Sequence, residues 1–194
     1  NLIAGIGYIS GVKCMIMIDD SGIKAGAASE ATIDKALGCL DIALKQKLPC
    51  VHLVESAGVD LPNYSVKLWS KFGSVFYKKA KLSAAGIPVI AILHGFSTAG
   101  GAYQIGMSDY VIGVKGNGMA ALAGSALLKA ATGENATNSD IGGVEMHSVV
   151  TGSVEYLVND DAESIVIVRQ LIDQLNWNEN DAQKTTLNFE NLFN

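Results

Sequence analysis

The residues best suited to chemistry run from Val89 to Asp109, VIAILHGFSTAGGAYQIGMSD. An apolar run of strand character enters a turn, and the turn opens a helix that begins Ala99-Gly100-Gly101-Ala102. Side chains this small leave the opening N–H groups uncovered at the positive end of the helix dipole. Such donors suit a thioester carbonyl or its enolate, and in measured oxyanion holes one donor is worth about 2.7–4 kcal/mol. The same glycines would also let the helix pack close to a sheet. A second loop, Glu55-Ser56-Ala57-Gly58-Val59-Asp60-Leu61-Pro62, follows the apolar run Val51–Val54. In layered α/β folds the strand ends of one edge line the ligand crevice, so the Ala57-Gly58 turn is the expected partner donor. The loop Asp19–Ala27 carries Lys24 beside small residues, a cation suited to a phosphate of a nucleotide-bearing ligand. It has neither the P-loop pattern nor G-x-G-x-x-G.

Ser97 raises a different chemistry. Gly95-Phe96-Ser97-Thr98-Ala99 falls one residue short of the G-x-S-x-G nucleophile elbow, with a strand before it and a helix after. Asp140 and His147 follow in hydrolase order but lie only seven residues apart, a spacing that poorly orients an imidazole towards a distant serine. A turn hydroxyl is the simpler reading. Asp109 reads as a cap or turn residue, and Asp160-Asp161 as the start of the last helix.

These loops need a scaffold, and the composition supplies one. The chain has 194 residues, 49% hydrophobic and 17% charged, with 21 Gly and 3 Pro. That length fits one domain or a little more, and the low charge excludes a disordered chain. No apolar run approaches the roughly 18–20 residues of a membrane span. The net charge is −5 and Arg169 is the only arginine, which disfavours nucleic-acid binding. The three cysteines (Cys14, Cys39, Cys50) share no C-x-x-C spacing and read as buried free thiols in a reducing compartment. The three histidines form no ligand grouping, so no metal site is expected.

Strand patterns alternate with helix periods. Leu2–Ile9 and Val12–Ile18 flank a Ser10-Gly11 hairpin turn. Ser29 caps a helix reaching about Gln46, with Ile33, Leu37, Leu40 and Leu44 on one face. Strands are expected at Cys50–Val54, Pro88–Leu93, Tyr110–Val114, Met119–Ala123 and Val154–Val158, with a turn at His94–Thr98. Helices are expected at Val66–Ala85, Ala99–Met107, Ser125–Ala131 and Ala162–Leu175, with a helical turn at Ile141–His147. Such alternation predicts an α/β fold with largely parallel strands over residues 1–175. Residues 176–194, rich in Asn and acidic side chains, read as a linker or arm towards a further domain. The chain begins with Asn1 and reads as a segment of a longer protein.

The ordered motifs are similar to a known family. They are Lys24-Ala25-Gly26-Ala27; Leu48-Pro49-Cys50 with Leu53-Val54-Glu55-Ser56-Ala57-Gly58; Ala84-Ala85-Gly86-Ile87-Pro88; Ser97-Thr98-Ala99-Gly100-Gly101-Ala102-Tyr103; Met107-Ser108-Asp109-Tyr110-Val111; Lys129-Ala130-Ala131-Thr132-Gly133-Glu134; and Gly142-Gly143-Val144-Glu145-Met146-His147. Together they resemble the N-terminal half of the carboxyltransferase (β) subunit of biotin-dependent acyl-CoA carboxylases. The resemblance implies a crotonase-like (ClpP/crotonase) spiral of repeated β-β-α units. It implies that CO₂ passes from carboxybiotin, held on a partner carrier domain, to the α or vinylogous γ carbon of an acyl-CoA. Biotin would act as the base, so no acid/base side chain is needed. The enolate hole falls on Gly100 and Gly101, with Ala57, Gly58, Lys24 and Gly26 on the substrate-binding side. A biotin carboxylase or biotin carrier subunit is the implied partner, a trimer of dimers the implied full-length assembly, and the cytoplasm, or the mitochondrial matrix in a eukaryote, the implied compartment. The segment alone is expected to be inactive.

The departures bear on substrate. Ser56-Ala57-Gly58-Val59-Asp60 stands where the family often has S-G-G-A-R, and Asp-Leu-Pro resembles the branch acting on branched or unsaturated acyl-CoAs. Ala25 takes a place usually held by glycine. An acyl-CoA decarboxylase would use the same site. A silent crotonase-fold scaffold and a Ser97 hydrolase are the other readings.

Overall fold

The computed structural model describes residues 1–63 and 65–177. Strands β1 (Leu2–Ile9) and β2 (Val12–Asp19) form the expected antiparallel hairpin. Helix α1 (Glu30–Gln46) opens on Ser29, whose Oγ accepts the Thr32 N–H at 3.3 Å. Strand β3 (Cys50–Ser56), helix α2 (Val66–Ala84), strand β4 (Val89–Thr98) and helix α3 (Gly100–Gly106) follow. Then come β5 (Tyr110–Val114), β6 (Met119–Ala121), α4 (Ser125–Thr132), α5 (Asn138–Gly142), α6 (Val144–Met146), a π-helical turn over His147–Thr151, β7 (Tyr156–Val158) and α7 (Asp161–Gln174).

The sheet runs in the order β1-β2-β3-β4-β5-β7, parallel except for the β1–β2 hairpin. Period-two alternation sends Met15, Met17 and Cys50 to one face, where Ile33 and Leu40 of α1 and Phe72, Val75 and Leu82 of α2 cover them. Cys14, Val51, Ile90 and Ile92 face the other way, under Val168, Leu171 and Ile172 of α7. Each such side chain, fully buried, contributes roughly 1.5–3 kcal/mol. Asp160 caps α7 as expected, its Oδ1 accepting the Glu163 N–H at 2.8 Å. Asp109 is a clasp, accepting from the Val89 N–H at 2.8 Å and the Ser83 hydroxyl at 2.9 Å.

Three expectations need correction. His94–Thr98 is strand, not turn: β4 continues past its pairing with β5 because Phe96–Thr98 find a second parallel partner in β6. Strands β6 and β7 are shorter than their apolar runs. The helical turn at Ile141–His147 is two short helices followed by the π turn, broken at the extended Gly143, next to Gly142, where a Cβ would strike the Ala120 carbonyl. The arm expected over 176–194 lies outside the described residues from 178 onward. At its start, the Trp177 indole donates to the Lys47 carbonyl at 2.9 Å and packs on both core faces.

Candidate active site

Two loops of the predicted site meet. After a bulge in β4, where His94–Phe96 stand opposite the single residue Glu55, Ser97 comes level with Ser56 of β3, so the chain leaves both strands side by side. A Cβ on Gly58 would lie 3.2 Å from the Ala99 Cβ and 3.7 Å from the Gly100 nitrogen. Gly58 has φ +88, which favours glycine there for a second reason. The Lys24 loop joins the same cluster. Ser56 Oγ donates to the Gly26 carbonyl and accepts the Gly58 N–H, both at 3.1 Å, and Ala28 bridges Val59 in parallel. Ser56 thus ties the loops together, a role its place in the motif did not reveal.

Backbone strain is stored at these turns. Ala99, between β4 and α3, has φ +50 and ψ −120, and Lys24 and Ala25 both have φ +52. Left-handed conformations in side-chain-bearing residues cost of order 1–3 kcal/mol each and concentrate at ligand clamps. The value at Ala25 gives the physical reason glycine is usual there. Helix α3 opens with the Ala102 N–H bonded to the Ala99 carbonyl at 3.1 Å, so the amides of Gly100 and Gly101 precede its first internal bond.

The glycine pair also serves packing. A side chain on Gly100 would enter the Phe72 ring, and a Cβ on Gly101 would sit 2.8 Å from Ser97 Oγ and 2.9 Å from the Ser56 carbonyl oxygen. Bulk at Gly101 therefore displaces α3 instead of filling the crevice. On the second loop, the Ala57 N–H donates to the Ala25 carbonyl at 3.0 Å, and the Gly58 N–H is taken by Ser56. Neither is the free donor the sequence led us to expect. In the parallel bridge Ala28 bonds the Gly58 carbonyl and the Asp60 N–H, at 2.7 and 3.1 Å, which turns the Val59 amide away from it.

Two cavities flank the junction. One, of about 490 Å³, is lined by Lys24, Ala27, Ala57, Val59, Asp60 and Asn63, among others. Lys24 Nζ is bonded to Asp60 Oδ2 at 3.0 Å, yet its side chain is 59% exposed and its remaining donors stay open to a ligand. Hydrogen bonds from Asn63, and then from Lys24, hold the Asp60 carboxyl below the usual carboxylate range. A depressed folded value contributes stability above the unfolded pKa of about 4, and loses it as pH falls through the folded value. In urea titrations across pH, Asp60→Asn should therefore be less stable than wild type at neutral pH, and the gap should close below about pH 4. A gap independent of pH would refute this account.

The other cavity, about 510 Å³, is lined mainly by apolar side chains of α3, β6 and the segment after β6, with Tyr103, His147 and Ser153 its polar members. No Asp, Glu, Lys or Cys lines it. His147 places Nε2 2.7 Å from the Ala120 carbonyl and Nδ1 3.0 Å from Thr151 Oγ1. Ser97 is fully buried in β4, and Asp140 is a capping residue bonded to Thr137, so the serine, aspartate and histidine do not converge. The hydrolase reading fails on this geometry. Burial pushes the Cys14 and Cys50 thiols up to about 11, which leaves neither a thiolate at neutral pH. Among the described residues no three His, Cys, Asp or Glu side chains cluster to hold a metal, and no helix is long and apolar enough to cross a membrane.

The family model for the carboxyl transferase domain matches residues 1–191. The chain belongs to the carboxyl transferase domain family. A probable biotin-dependent acyl-coenzyme A carboxylase beta2 subunit of Mycobacterium tuberculosis is 42% identical over 177 residues, 91% of this chain and 33% of the relative. The mitochondrial methylcrotonoyl-CoA carboxylase beta chain of Dictyostelium discoideum is 39% identical, over 99% of this chain and 33% of its own. Among solved structures, the geranyl-CoA carboxylase beta subunit of P. aeruginosa superposes with a TM-score of 0.84 at 42% identity, covering 92% of this chain and 33% of that one. The carboxyl transferase domain therefore has the crotonase-like fold, and the chain spans about a third of the length of the relatives it matches.

Proposed function

We propose that residues 1–175 form the acyl-CoA side of a biotin-dependent carboxyltransferase. The observation that carries this reading is the junction of Gly58 with Ala99-Gly100 beside an apolar cavity that has no carboxylate, lysine or cysteine in its lining. Its one imidazole, His147, is already engaged by the Ala120 carbonyl and Thr151, and the site can bind a growing negative charge. Biotin, carried on a partner, would supply the CO₂ and, once CO₂ has left, the base. Tyr103 and the apolar lining fit that division of labour, because they offer a dry, shaped wall.

The chain's own work is binding and charge stabilisation. The amides of Gly100 and Gly101 hold the thioester oxygen as it becomes an enolate, and the Val59 amide takes the place assigned from sequence to Ala57-Gly58. Lys24 meets the phosphates of CoA from the neighbouring cavity, on a loop held by Gly26 and Ser56. The apolar cavity receives the acyl chain and keeps water from the enolate. Methylcrotonoyl- and geranyl-CoA, named for two of the relatives, set branched, unsaturated acyl groups as the substrates to test first. A homo-oligomer of dimers joined to biotin-carrying subunits, in the cytoplasm or the mitochondrial matrix, completes the proposal.

Calorimetric titration of CoA and of a branched acyl-CoA into the complete subunit tests it. Lys24→Ala should weaken both ligands about five-fold, equivalent to about 1 kcal/mol for an exposed charge pair. Equal loss for both marks a contact to CoA and not to the acyl chain. No binding by the complete wild-type subunit would leave a fold that has kept its shape and lost its site.

A further inference from the structure

Helix α2 buries Leu68, Phe72, Val75, Lys79 and Leu82 as one stripe, and a lysine holds an apolar slot in it. Lys79 is fully buried. Its Nζ donates to the backbone carbonyl of Gln104, in the last turn of α3, at 3.2 Å, and Ser108 Oγ donates to the same oxygen at 2.8 Å. That carbonyl is one of those a helix end leaves without an internal donor.

The rest of the stripe meets α3 in step. The Phe72 ring fills the space where a Gly100 side chain would stand, and the Phe76 and Tyr103 rings are 5.6 Å apart. Residues 72, 76 and 79 thus meet residues 100, 103 and 104, from the first turn of α3 to its last. Helix α3 has seven residues and no side-chain cap at Ala99, and so short a helix takes its direction from its neighbours. A cation at its C-terminal end also reinforces the dipole whose positive end lies at Gly100 and Gly101.

We propose that Lys79 is a positioning residue for carboxyl transfer: from the buried face of α2 it clamps the far end of α3 and so aims the Gly100 and Gly101 amides. The inference rests on the function proposed above. The groups around the ammonium are Cys50 on β3, Asp19 on β2 and the α3 carbonyl, and Asp19 also lies 3.2 Å from His52 Nε2. Burial pulls the Lys79 amine down to about 8, with the Asp19 carboxylate opposing it, so the clamp is a cation at neutral pH.

The test compares Lys79→Met and Lys79→Gln with wild type in the complete subunit, assembled with its biotin-carrying partner. Lys79→Met, close in shape, should lower kcat at least about ten-fold and leave the KM for acyl-CoA within two-fold. Its unfolding temperature should hold or rise, since an apolar isostere removes a buried charge. Lys79→Gln, which keeps an N–H donor, should recover part of kcat. A wild-type kcat in Lys79→Met, or a loss that only follows the loss of folded protein, overturns the proposal. Hydrogen exchange gives a reading that needs no turnover. At pH 7, α3 amides should lose protection in Lys79→Met relative to wild type while α1 amides do not, and unchanged α3 protection overturns the clamp. A wild-type assembly without carboxyl transfer would instead sink the proposed function, with exchange still deciding whether Lys79 holds α3.

Discussion

Gly101→Val should lower carboxyl transfer by the complete subunit at least about a hundredfold, the loss that follows removal of an oxyanion donor. The cause is geometric. A Cβ at this position starts 2.8 Å from Ser97 Oγ and 2.9 Å from both the Ser56 Cβ and carbonyl oxygen, before the two valine methyls are added. Ser97 and Ser56 belong to paired strands in the middle of the sheet and cannot yield, so α3 must move outward. A shift of an ångström takes the Gly100 and Gly101 amides out of line with the thioester oxygen, and misplacement on that scale is enough for a hundredfold loss. Overpacking costs about 1–3 kcal/mol of stability as well. Rates are therefore to be compared on material shown folded by circular dichroism. A folded variant with wild-type turnover would remove the glycine pair from the site.

Gly26→Ala should cost about 3 kcal/mol of folding stability, the sum of a left-handed backbone penalty and an overpacking term. Gly26 has φ +73, and a Cβ there would run into the Glu55 carbonyl oxygen and lie 3.0 Å from the Ser56 Cα. Both obstacles are backbone of β3, which cannot rotate aside as a side chain can. The alanine would push the Lys24–Gly26 turn off β3 and break the bond from Ser56 Oγ to the Gly26 carbonyl. Urea denaturation of the domain reads the loss directly. A change below about 0.5 kcal/mol, the usual range of a neutral surface substitution, would show that the turn relaxes freely.

Much of this was legible along the chain because its signals are local. Apolar period and caps marked α1, α2 and α7 closely, and the Ser10-Gly11 turn placed the first hairpin. The candidate loops were marked by small residues next to buried strands, a pattern that close helix–sheet packing also produces. What was missed had long-range causes. The end of β4 looked like a turn because its partner β6 lies more than twenty residues on. Lys79 interrupts an otherwise apolar stripe, and no sequence rule names the carbonyl that receives its amine. The Ala57 and Gly58 amides looked like donors because their acceptors, Ala25 and the Ser56 hydroxyl, become neighbours only when the loops fold together.

The sequence by itself determined the layered α/β class, the family resemblance and the place of the glycine pair just after a buried strand, since each follows from residue types and short spacings. Only the tertiary structure decided which amides remain free, why bulk at Gly101 acts through α3, and that Ser97, Asp140 and His147 stand apart. Those outcomes depend on contacts between residues distant in the chain, where a few tenths of an ångström separate a fitting atom from an excluded one.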